Sequence, residues 1–192
     1  MTDLSDLLLR VRDRARRETP ELAPYAGERD IAEAERQLGF VLPPLLRRLY
    51  LQVANGGFGP DYTLFPLVGA GRTAVAEYGP LRDARPVYWP RGVLPVLDWG
   101  CGMYAAVDCL SADAPVLLFE PNAGPDDWAD AWFLDSPSLA QWLTAWLHGT
   151  GWWEEEVMTA ENAPEPSPWP DAAHRLAASR KSMAPPARVA LE

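Results

Sequence analysis

The chain has 192 residues, 48% of them hydrophobic and nine of them Trp, which suits one substantial core and is short for two. That composition excludes a disordered chain, and no apolar run approaches the length needed to cross a bilayer. The net charge of −10 is unevenly placed: between Gly92 and His174 there are fourteen carboxylates and no Lys or Arg, a one-signed surface that excludes nucleic acid as a partner.

The first eighteen residues, MTDLSDLLLRVRDRARRE, predict an amphipathic helix with Leu4, Leu7, Leu8 and Val11 on one face. They lack the basic start and unbroken apolar stretch of a secretion signal. Asp3, Asp6 and Asp13 offset the arginines that a membrane surface would use, so a packed helix is the reading taken. A second helix follows, with Asp30 as N-cap, Glu33 completing a capping box, Ile31, Ala34 and Leu38 on one face, and Gly39 as its stop. Pro43 and Pro44 restart the chain. Leu42, Leu45, Leu46, Leu49, Tyr50 and Val53 then form the apolar face of a third helix, closed by Asn55-Gly56-Gly57.

Tyr62 to Val68 reads as a strand, and Ala70 to Arg91 as an irregular connection with one helical turn at most. Val93 to Leu97 and Met103 to Cys109 are strands around a hairpin turn at Asp98 to Gly102. Pro115 to Phe119 is a buried strand, Asn122 to Asp127 a polar loop, and Ala131 to Leu134 an edge strand. Ser136-Pro137 opens a last helix whose face is Leu139, Trp142, Leu143, Trp146 and Leu147. From Gly151 the texture becomes a Pro-rich acidic tail, with Trp169 as an anchor and Asp171 capping a short helix towards Met183.

The run Leu38-Gly39, Leu42-Pro43, Leu49-Tyr50 and Asn55-Gly56-Gly57 resembles the entry to the SUKH superfamily, which includes the Smi/Knr cell-wall assembly regulators and bacterial immunity proteins. The likeness continues more loosely through LPVLDWGCG, YAAVD and PVLLFE to the helix after Ser136. It implies an α+β fold: N-terminal helices packed on a bent, mostly antiparallel sheet, with a closing C-terminal helix. Residues 1–150 then form one domain with an N-terminal helical extension, and 151–192 its tail, with a short helix at 171–183.

The catalytic inventory is thin. His148 and His174 stand in no metal-ligand spacing, no Ser sits in a nucleophile elbow, and the sole lysine lies in the tail. Cys101 and Cys109 fit a disulfide if the turn brings the strands together. The reading taken is two reduced thiols in a cytoplasmic protein. Asp98 and Asp108 flank the predicted hairpin, and as a carboxylate pair they would suit acid–base chemistry or a divalent ion. The resemblance implies no such activity, so the chain is read as a non-enzymatic binding protein without metal or cofactor.

The function expected is that of an immunity protein that occludes a cognate toxin, a nuclease being one candidate, by docking an acidic face on a basic protein. The alternative is a regulatory or scaffolding module of the Smi/Knr type, with an acid-pair enzyme third. The contact candidates are Asp98, Trp99, Asp108, Glu120, Asp126, Asp127, Trp128 and Asp130. Trp99 and Trp128 are anchors by residue type, and each fits a core or turn role equally well.

Overall fold

The computed structural model describes residues 4–122, 124, 126–160 and 165–182. Three helices come first: α1 (Leu4–Glu18), α2 (Glu28–Leu38) and α3 (Pro44–Gln52). Their periodic apolar positions are the ones buried, Leu7, Leu8 and Val11 on α1, Ile31, Ala34 and Leu38 on α2, and Leu45, Leu46, Leu49 and Tyr50 on α3. Each of the larger side chains removed from water contributes about 1.5–3 kcal/mol before entropy is counted. The start of α2 differs from expectation. Its N-cap is Gly27, and Asp30 sits three residues in, where its carboxylate accepts the Gly27 N–H at 2.8 Å. Glu33 instead accepts from Arg36 and Gln37.

Tyr62 to Val68 is not a strand. Its backbone groups find other partners: Asn55 Nδ2 donates to the Val68 carbonyl, Leu67 N donates to Asn55 Oδ1, and Leu64 pairs with Phe58 and Gly57. Gly56 makes this close approach possible. Its φ is +81°, and a Cβ there would lie 2.4 Å from the Pro66 nitrogen. The connection after it holds a full helix, α4 (Ala74–Asp83), in place of one turn. Thr73 caps it by accepting from Ala76 N, and Ala74 and Tyr78 are buried.

The sheet has five strands in the order β1-β2-β3-β4-β5, and every neighbouring pair is antiparallel. These are β1 (Val93–Gly100), β2 (Met103–Asp108), β3 (Val116–Phe119), β4 (Trp132–Ser136) and β5 (Ser167–Pro168). The hairpin turn is tighter than the five residues expected. Only Cys101 (φ 52°) and Gly102 (φ 80°) lie between the paired Gly100 and Met103. Two consecutive left-handed residues match the primed turns that follow strand twist. Register slips between Pro95 and Leu97, between Asp98 and Gly100, and in β3–β4 bend the sheet.

Ser138, not Ser136, caps the following helix α5 (Leu139–His148) by accepting from Gln141 N. Trp142 and Trp146 of α5 are buried. Arg14 of α1 donates to the Trp146 carbonyl and lies over its ring, tying the first helix to α5. β4 is not an edge, because β5 pairs with it. A short helix, α6 (Glu155–Met158), precedes β5, and α7 (Ala172–Ser182) follows it. Trp169 is buried against Trp132, as an anchor should be. Glu161, Pro164 and Met183 lie outside the described residues. The architecture is α+β, with helices before and after a bent antiparallel sheet.

Candidate functional site

Register decides which of the expected contact residues meet. Tyr104 pairs with Phe119, which pairs with Trp132, so the β1–β2 turn and the β3–β4 connection emerge at the same end of the sheet. Glu120, Asp126, Asp127, Trp128 and Asp130 all belong to that connection, and Asp98 and Trp99 lie beside the turn. Asp108 does not join them. It pairs with Val93, at the opposite end of the hairpin from Asp98. Five residues of strand put the two carboxylates roughly 15 Å apart. The acid pair that the sequence allowed is therefore not formed.

Both of those acids are also occupied, by arginines from outside the Lys- and Arg-free span. Asp108 is 1% exposed and accepts two bonds from Arg175, at 2.6 and 2.8 Å, with Ser111 Oγ at 2.5 Å and Leu110 N at 3.1 Å. Burial pushes its carboxyl up, but Arg175, Ser111 and the backbone donor outweigh that and hold it below the usual value. This is a bond within the fold, and Asp108 cannot present its charge to a partner. Asp98 accepts from Arg72 at 2.7 Å and from Gly100 N at 2.7 Å. The remaining acids are freer. Asp126, Asp127 and Asp130 are exposed, and Asp126 and Asp130 have no ion-pair partner among the described residues. Asp127 caps the 3-10 turn Trp128–Ala131 through Ala129 N and lies 3.9 Å from Arg180. Glu120 accepts from Asn122 N at 2.5 Å.

The two candidate anchors stand in separate aromatic clusters. Trp128 is half-buried against Tyr88 (ring centroids 5.1 Å apart) and Phe119 (6.4 Å). Trp99 falls where the β1 register slips, and meets Trp153 at 5.6 Å, Trp152 at 5.4 Å and Tyr62 at 5.9 Å. Met103 and Met158 complete the lining of a recess of about 190 Å³ there, with Asp61 beside them. Sequence reasoning missed this recess, because its walls come from three distant segments, 61–62, 99–103 and 152–158. The one local signal was Trp152-Trp153, placed in the tail.

Asp135 lies on β4, one of the fourteen carboxylates of the Lys- and Arg-free span. Its Oδ2 accepts from the Trp142 indole at 3.1 Å, while Trp152 lies close by without a hydrogen bond of regular geometry. Burial raises its carboxyl to about 6 against the pull of these donors and Ser136. Cys101 sits exposed at the hairpin tip, and Cys109 beyond the far end of β2; both are free thiols. Burial, with the Asp108 charge adding to it, pushes the Cys109 thiol up, so it is protonated and unreactive at neutral pH. Among the described residues no cluster of His, Cys, Asp and Glu could hold a metal ion, and no helix is long and apolar enough to cross a membrane.

Residues 25–145 match the model of the SMI1 / KNR4 family (SUKH-1). That is more than half of the 192 residues, and the chain belongs to this family. A search of curated proteins returns no match.

Proposed function

We propose that this member of the SUKH-1 family is a non-enzymatic protein-binding domain, a cytoplasmic immunity protein that neutralises a cognate toxin by occluding a basic surface such as a nuclease cleft. One observation carries the reading. Asp126, Asp127 and Asp130 are exposed together around the half-buried Trp128, next to Glu120, at one end of the sheet. An excess of carboxylates at one end of the sheet speeds encounter with a basic partner, and an aromatic centre that loses water slows its release.

Acid reversal separates these contributions. The triple substitution Asp126→Lys, Asp127→Lys, Asp130→Lys touches exposed side chains, and only Asp127 caps a turn. The variant should fold with a loss of about 1 kcal/mol, the typical worth of one cap. Association with a basic toxin should slow by roughly tenfold or more, and growth rescue should fail when the variant is co-expressed with a toxin encoded beside it. Rescue equal to that of the parent chain would remove the acidic end from the reading.

A further inference from the structure

The recess beside Trp99 has a composition that the acidic end does not explain. Its rings meet at different tilts: Trp99 and Trp153 at 30°, Trp99 and Trp152 at 57°, Tyr62 and Trp99 at 72°. Aromatic faces carry partial negative charge, and a recess lined by four aromatic rings and a carboxylate suits a cation. Among the described residues the lining holds Asp61 and no Lys or Arg, and α6, which supplies Met158, exposes Glu155 and Glu156.

Elsewhere the chain covers such rings itself. Arg14 lies 4.6 Å from the Trp146 ring centroid, Arg72 5.1 Å from Phe65 and Arg175 5.6 Å from Trp169. At the recess, Tyr62 is instead 60% and Met158 56% exposed. The volume of about 190 Å³ falls below the roughly 300 Å³ at which pockets begin to take whole small ligands, and suits one long side chain.

We infer that this recess is the receptor for one arginine side chain of a protein partner. Its guanidinium stacks on the Trp and Tyr faces and pairs with the Asp61 carboxylate. Arginine is the fitting cation because its flat, weakly hydrated fork stacks on rings and pairs with carboxylates at once. The recess lies at the same sheet end as Glu120 and the 3-10 turn. β1 and β3 are two strand spacings apart, about 10 Å, so one docked protein reaches both. The inference builds on the proposed function by naming the group recognised.

The test needs no toxin. The full chain is titrated with N-acetyl-arginine methylamide and with its neutral analogue, N-acetyl-citrulline methylamide, while the indole N–H resonances are followed. Arginine should shift Trp99, Trp152 and Trp153 and bind at least about tenfold more tightly than citrulline, with Asp61→Asn or Tyr62→Ala weakening it severalfold. Both positions are exposed, so thermal unfolding should stay near that of the parent and exclude misfolding as the cause. Equal response to the two amides, shifts confined to other tryptophans, or unchanged binding in both variants would overturn the inference. Discrimination without any toxin rescue would leave the recess standing and remove the immunity reading. Rescue without discrimination would do the reverse.

Discussion

Replacing Asp135 with Asn should stabilise the protein at neutral pH. In the folded chain this carboxyl is raised from 3.8 to about 6 by burial. A group raised on folding contributes stability that is complete below the unfolded value, near 3.8, and is lost as pH rises through about 6. That separation corresponds to about 3 kcal/mol at most, with the half-open pocket that Asp135 shares with Glu165 and Thr150 lowering it. Asn keeps an oxygen to accept from Trp142 and carries no charge to bury. Urea denaturation followed by Trp fluorescence from pH 4 to 8 measures the difference directly. Asp135→Asn should exceed the parent by about 1–3 kcal/mol at pH 8, with the gap closing as pH falls through 6 and gone near pH 4. Parallel curves, or a parent more stable at pH 8, would refute the reasoning.

Arg175→Met should cost about 3–5 kcal/mol in the same assay at pH 7, because it strands a buried carboxylate. Since Asp108 is depressed on folding by Arg175, the parent's advantage is full above the unfolded value, near 3.8, and the deficit should shrink as the pH falls below it. Gly56→Ala and Gly57→Ala both force a side chain into left-handed backbone, but only the first also meets the backbone of Phe65 and Pro66. Thermal unfolding should show about 1 kcal/mol lost for Gly57→Ala and clearly more for Gly56→Ala. The charge-reversed chain should show a salt dependence of association weaker than the parent's in stopped-flow mixing with its toxin.

The helices were legible because their signals are local. Leu42 through Val53 repeats at helical spacing and is punctuated by prolines and glycines, and α3 follows that pattern to within two residues at its start and one at its end. The strands around the 100–102 turn were legible for the same reason. Helix α4 was hidden by Gly79 and Pro80 inside it; Thr73 and the burial of Ala74 and Tyr78 hold it in place. Tyr62 to Val68 has strand-like residues, but tertiary bonds to Asn55 take the backbone groups that a ladder would use. For the site, the exposed acids of the 126–130 segment were readable from charge alone. The neutralisation of Asp98 by Arg72 and of Asp108 by Arg175 was not, because those partners are 26 and 67 residues away.

The lateness of Arg175 in the chain shapes the order of assembly. A ribosome that has released the first 160 residues holds β1 to β4 complete, while Asp108 still awaits its guanidinium and Trp132 its neighbour Trp169. Ser179 likewise reaches back 88 residues to the Arg91 N–H. Closing such long loops comes late and slowly, and the nascent molecule exposes an unfinished flank to chaperones until α7 arrives. The clasp arrives late: α7 fastens a sheet laid down long before it.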